Sequence, residues 1–99
     1  MTFDQWYEVY QSQDGKCDET NIHMTHTRDK NDPSFLPDVK MTKFPKNVSP
    51  DQIIAGKGYV KGNLRFLCAA VNRMKHEFPI DIFHEYVAKI WSHNNLNKD

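Results

Sequence analysis

A chain of 99 residues with 38% apolar, 12% aromatic and 26% charged residues builds one small domain around one modest core, and a mean hydropathy of -0.76 keeps much of it wet. No window approaches the ~18 consecutive apolar residues of a membrane span, and the start MTFDQWYEVY lacks the basic-then-apolar order of a secretory leader. An intracellular, cytoplasmic protein with no membrane partner is therefore expected, and two cysteines are too few for a disulfide framework.

Thirteen Lys plus Arg balance thirteen Asp plus Glu, for a formal charge of zero. Neutrality of the whole conceals an uneven distribution. Residues 1–55 hold six basic and nine acidic side chains, whereas residues 56–99 hold seven basic and four acidic, so the halves carry -3 and +3. Positions 52–76 contain Lys57, Lys61, Arg65, Arg73 and Lys75 and no acid at all. Such a local basic stretch is compatible with a nucleic-acid partner inside a neutral total.

In chain order, Phe3, Trp6, Tyr7 and Tyr10 fall at i, i+3, i+4 and i+7, the spacing of one helix face. Thr2 and Gln5 have the form of a capping box, and Asp14-Gly15 stops the helix. From Lys16 to Lys46 the chain is polar, carries Pro33, Pro37 and Pro45 and keeps no period, which predicts a long loop. Its scattered apolar residues Ile22, Phe35, Leu36, Val39, Met41 and Phe44 are expected to pin it to the core. A short strand is predicted over 47–54, a glycine-rich turn through Gly56, Gly58 and Gly62, a second strand from Leu64, and a short helix over 68–76. Pro79 separates that helix from a last one, whose Phe83, Tyr86, Val87, Ile90 and Trp91 form a second apolar stripe expected to join the core. The polar tail from about residue 92 to 99 is expected to fray.

The stretch SPDQIIAGKGYVKGNLRFLCAAVNRMK, residues 49–75, carries S-x-D-Q-I, then K-G-Y-x-x-x-N-x-R, then N-x-x-K, with Gln13-Asp14-Gly15-Lys16-Cys17 as a Q-x-G-x-C lead-in. Across roughly residues 10–76 this pattern resembles the HNH endonucleases, also called His-Me finger or ββα-metal nucleases, and among them the small phage-type members. The resemblance implies a single α+β domain over 1–99: a ββα-metal core at about 47–76 with helices at both termini packed around it. It also implies a metal-dependent DNA endonuclease encoded by a phage and working in a bacterial host. By resemblance Asp51 and Asn72 hold the metal, Mg²⁺, Mn²⁺ or a similar divalent ion, and Asn63 ties the loop between the strands. Read from the residues alone, Asn63 between Gly62 and Leu64 is a turn residue, and Asp51 and Asn72 are oxygen donors of the kind magnesium prefers.

Active members with an Asp-His pair use the His as the base that activates water, and that position here is Gln52, an amide that accepts no proton near pH 7. His76, four residues after Asn72 and so on the same helix face, is the leading replacement, ahead of His23 and His26; its plainer reading is a solvated His at a helix end. Arg65, Arg73, Lys75, Lys57 and Lys61 are expected to contact phosphates, although charge clusters are most often solvated faces. Tyr59 is expected to anchor the loop by packing. Related junction-resolving nucleases pair four thiolates on zinc, but the matching positions here are Thr20 and Val71. A mixed structural zinc site of Cys17, Cys68, His23 and His26 has enough ligands in an unusual spacing, and the competing expectation is that both thiols pack as small apolar groups. Because Gln52 replaces the base, the alternative function is a catalytically impaired scaffold that acts by occupying DNA or a protein surface. A helical interaction module built on the two apolar stripes is a third reading.

Overall fold

The structure is a computed structural model that describes residues 1–96. Among them the elements are α1 (Phe3–Ser12), β1 (Val48–Gln52), β2 (Leu64–Cys68), α2 (Ala69–Lys75) and α3 (Ile80–Leu96), an α+β arrangement with one two-stranded antiparallel sheet. No helix among the described residues is long and apolar enough to cross a membrane.

The predicted capping box is present: Gln5 N donates to Thr2 Oγ1 at 3.2 Å and Thr2 N to Gln5 Oε1 at 2.8 Å. α1 ends where Asp14 and Gly15 take φ of 54° and 68°. A Cβ at Gly15 would lie 2.9 Å from Tyr10 Oη, and the positive φ is one that L side chains rarely adopt, so a substitution there is strained. The aromatic stripe of α1 divides. The Trp6 and Tyr10 rings lie 5.9 and 6.1 Å from Phe66 on β2. Phe3 and Tyr7 stay exposed and stack on each other at 6.1 Å. Strands of five residues are too short and too few to cover a full helix face.

β1 and β2 pair in the register Val48↔Cys68, Pro50↔Phe66, Asp51↔Arg65 and Gln52↔Leu64. Pro50 sits at a position whose neighbour does not need its missing N–H. Phe66 opposite turns its N–H and carbonyl the other way, to Gln13 Oε1 and Gln13 Nε2, both at 2.9 Å. Asp18 N adds a 3.1 Å bond to the same carbonyl. One glutamine amide thus stands in for a third strand along the outer edge of β2. The core is correspondingly small: Cys17, Met24, Leu64, Phe66, Leu67 and Cys68 are buried, with Trp6, Val9, Tyr10, Val48 and Val71 packed against them.

The long loop is held differently from the expectation. Ile22, Leu36, Val39 and Met41 are exposed, and Phe35 and Phe44 pack on each other at 5.2 Å. Cys17 and Met24 from this segment are buried in the core, and polar bonds hold the rest. Thr25 N donates to Lys46 O and Val48 N to Thr25 O, at 2.9 and 3.0 Å, and the Asn47 amide bonds Thr25 and Thr27. The same turn caps α2, whose first N–H groups donate to Asn47 O (Ala69) and Pro45 O (Ala70) at 2.8 and 3.0 Å.

The expected packing of the C-terminal helix is not observed. Phe83 is half-buried, Tyr86, Val87, Ile90 and Trp91 are exposed, and among the described residues no side chain of α3 belongs to the core. A 3.6-residue stripe reports an amphipathic helix but not what covers it. α3 also runs through residues 92–96 of the expected frayed tail, while residues 97–99 lie outside the described residues.

Gln13→Ala removes both bonds to Phe66 and leaves its amide without a partner. This substitution is expected to cost about 1–3 kcal/mol, read as a Tm lower by roughly 5 °C or more in thermal unfolding.

Candidate functional site

β1 delivers Asp51 to a buried position directly across from Arg65 of β2. Arg65 Nε donates to Asp51 Oδ2 at 2.9 Å, and Lys75 Nζ, reaching up from α2, lies 3.4 Å from Asp51 Oδ1. The guanidinium continues to Glu19 Oε1 at 2.5 Å and Asp18 Oδ2 at 3.4 Å through Nη1. Glu19 Oε2 in turn meets His84 Nε2 of α3 at 2.6 Å. The result is a chain of paired groups, Lys75–Asp51–Arg65–Glu19–His84, that runs through α2, β1, β2, the first loop and α3. Arg65 Nη2 is buried with no partner.

The electrostatics follow this chain. Burial works against the Glu19 carboxylate, but hydrogen bonds and charge from His84 and Arg65 outweigh it and hold its pKa below the ordinary 4.5. Burial likewise opposes the Arg65 cation, and its bonds to Glu19 and Asp51 overcome that and raise its pKa.

Arg65 and Lys75 are therefore not the free phosphate-binding cations that the sequence suggested. With side chains 10% and 2% exposed, both are engaged inside the fold. An acid-free stretch of sequence does not report acids that tertiary contacts bring in, here Asp18, Glu19 and Asp51. Lys57, Lys61 and Arg73 are exposed, and Arg73 Nη2 rests 3.0 Å from Met41 Sδ.

The loop between the strands is organised by two amides. Asn63 is buried, accepts from Ile54 N at 2.7 Å and donates to Ile54 O and Gly58 O at 3.2 and 2.8 Å. It ties the loop as expected. Gln52 Oε1 accepts from Gly56 N and Gly58 N at 3.0 and 2.9 Å, which occupies the side chain with loop structure. Tyr59 packs its ring 5.2 Å from Trp6.

β1, this loop and α2 enclose an open cleft of about 270 Å³ whose lining includes Asp51, Gln52, Asn72, Lys75 and His76. Asn72 Nδ2 donates to Ser49 Oγ and Pro50 O at 2.7 and 3.0 Å. Since a backbone carbonyl only accepts, that assignment leaves Asn72 Oδ1 as the atom to take a ligand. His76 caps α2 at φ 50°, is exposed, and lines both this cleft and a neighbouring polar one of about 630 Å³ with Thr42, Ser49 and Arg73. The sequence-level set Asp51, Asn72 and His76 is thus gathered in one place. His23 and His26 are elsewhere: His23 pairs in a bridge with Lys16, and His26 Nε2 meets Tyr10 Oη at 3.1 Å.

The donor set fits a hard divalent cation, which takes one or two protein oxygens and keeps waters. Asp51 Oδ1 is the less firmly engaged carboxylate oxygen, and Asn72 Oδ1 could serve as a second donor. Lys75 must yield ground for a cation to approach Oδ1. Of the residues named for zinc, Cys17 and Cys68 neighbour each other, and among the described residues there is no group of three or more His, Cys, Asp or Glu that could hold a metal ion. Cys17 and Cys68 are both buried. Burial raises the pKa of Cys68, whereas bonds from Thr20 and nearby backbone outweigh burial and lower that of Cys17.

Sequence reasoning missed Glu19 and Asp18 as partners of Arg65 and His84 as the partner of Glu19, because no local pattern marks contacts across 46, 47 or 65 positions. Gln13 carried a signal, since it opens the Q-x-G-x-C lead-in. No family model, curated protein or solved structure matches this chain.

Because the folded pKa of Glu19 lies below its unfolded value, its contribution to stability is complete above about pH 4.5 and fades as pH falls through the lower folded value. Urea midpoints measured from pH 7 to 3 should fall below that point, and Glu19→Gln should flatten the fall.

Proposed function

We propose that this chain is a divalent-metal-dependent DNA endonuclease of the HNH type that hydrolyses phosphodiester bonds. The observation that carries the reading is the convergence of Asp51, Asn72 and His76 on one open cleft formed by the order β1, β2, α2. Asp51 and Asn72 would hold the ion, which when bound neutralises charge on the phosphate and acidifies water. His76 would take the proton from water, since imidazole is the side chain that ordinarily exchanges protons near neutrality. Arg73, Lys57 and Lys61 would hold the DNA backbone, which sets affinity without reading sequence. Asn63 and Gln52 shape the loop that forms one wall. The ββα-metal assignment of the core and a cytoplasmic setting in a phage-infected cell belong to this same reading.

A second reading has its own support. Gln52 is committed to two backbone amides, and Asp51 is already neutralised by Arg65 and Lys75. These observations suit a catalytically impaired scaffold that occupies DNA or a protein surface without cutting.

Incubation of plasmid and branched DNA with the protein in Mg²⁺ or Mn²⁺, with and without EDTA, separates the two. The nuclease reading expects metal-dependent nicking that His76→Ala lowers by about 10²–10⁴-fold with the fold intact by circular dichroism. Intact DNA in both metals together with salt-sensitive binding would select the scaffold reading, and neither cleavage nor binding would reject both.

A further inference from the structure

α3 is the least accounted-for element of the fold. Its 17 residues are tied to the body on their polar side by His84, bonded to Glu19, and no other helix or strand among the described residues packs along it. Most of a helix's stability in a protein comes from packing of its amphipathic face. Its apolar side forms, with the end of α2, a groove of about 500 Å³ lined by Met74, Phe78, Ile82, Tyr86, Val87 and Ile90. Met74 is 70% exposed, Ile90 63% and the adjacent Trp91 67%. The uncovered apolar area of these side chains is on the order of 700 Å², close to the ~800 Å² per partner of a standard stable interface. Solitary soluble proteins rarely leave a patch of that size open.

We propose that two copies of this chain pair through α3 in an antiparallel, two-fold arrangement, each covering the other's groove. The charges beside the stripe select this occupant. Asp81, Glu85 and Lys89 follow one another at four-residue intervals and so form one row, acidic at its start and basic at its end. A two-fold axis near Val87 sets Glu85 against Lys89 of the second copy and Lys89 against its Glu85. That self-complementarity is what an isologous interface requires. A parallel pairing would set like charges together, and an anionic lipid surface would meet the two acids rather than the Lys/Arg-rich face that membranes favour. The Glu85–Lys89 pair within one helix, at 2.8 Å and exposed, would then extend into a four-charge cluster across the axis. The pairing uses α3 and the end of α2 and stands whether or not the cleft cuts DNA.

Sedimentation equilibrium of the full chain over a wide concentration range tests it. The expected mass is twice 11.6 kDa. Ile90→Glu, at an exposed position that leaves the core untouched, is expected to return the single-chain mass with the far-ultraviolet spectrum of the sheet and α1 preserved. Lys89→Glu is expected to weaken association by about tenfold or more, and Glu85→Lys combined with Lys89→Glu to restore it, because the axis keeps 85 opposite 89. A single-chain mass for the wild type at every concentration would overturn the proposal. So would a dimer that Ile90→Glu leaves intact, or a double substitution that associates no better than Lys89→Glu alone.

Discussion

The buried pairing of Asp51 with Arg65 is the constraint on which the rest of this small protein depends. A charge taken out of water must be paired and hydrogen-bonded or it destabilises the fold by several kcal/mol. Here the register of β1 and β2 sets the two groups across from each other, and Lys75 and Glu19 extend the pairing to α2, the first loop and, through His84, α3. With six buried apolar residues in the core among the described residues, hydrophobic area alone has little to hold these segments together. Amide side chains supply the remainder: Gln13 along the outer edge of β2, Asn47 under the long loop, and Asn63 in the hairpin loop. Specific polar geometry fixes this fold more than bulk packing does, which makes it sensitive to single substitutions at a few polar positions.

The same constraint bears on function. Asp51 is the residue that organises the fold, and in the proposed reading it is also the residue that would receive a cation. Its two oxygens are not equivalent. Oδ2 is held at 2.9 Å by Arg65, whereas Oδ1 faces Lys75 at 3.4 Å from the side of the cleft. A structural role on one oxygen and a ligand role on the other can coexist. Lys75 then governs how readily a second cation is accepted, which links the nuclease and the scaffold readings to one side chain.

Much of the local structure was legible in the sequence because its causes are local. The capping box at Thr2, the stop at Asp14-Gly15, the two short strands and α2 all follow from neighbouring residues. The grouping of Asp51 with Asn72 came from the resemblance to the HNH pattern, and that of His76 with Asn72 from helix periodicity. What was not legible depends on distant partners. Arg65 and Lys75 looked like surface cations because the nearest acids in sequence are absent, yet Asp18 and Glu19 arrive from a loop some 46 positions away. The stripe on α3 looked like core because periodicity reports amphipathicity and is silent about what covers it. The long loop is anchored by Cys17 and Met24 rather than by the apolar residues scattered further along it, and otherwise by backbone bonds and Asn47, which hydropathy does not register. The zero net charge takes on a plainer meaning too: part of the cancellation is physical, between groups in contact inside the molecule.

Paramagnetic broadening of backbone amide resonances during Mn²⁺ titration tests the central claim, that the cleft at Asp51 accepts a divalent cation while the ion-pair chain keeps the fold. The account predicts early loss of the Asp51, Asn72 and His76 signals, with His23 and His26 unaffected and the rest of the spectrum in place. Broadening confined to other acidic surface positions, or loss of the folded spectrum as the cleft signals disappear, would contradict it.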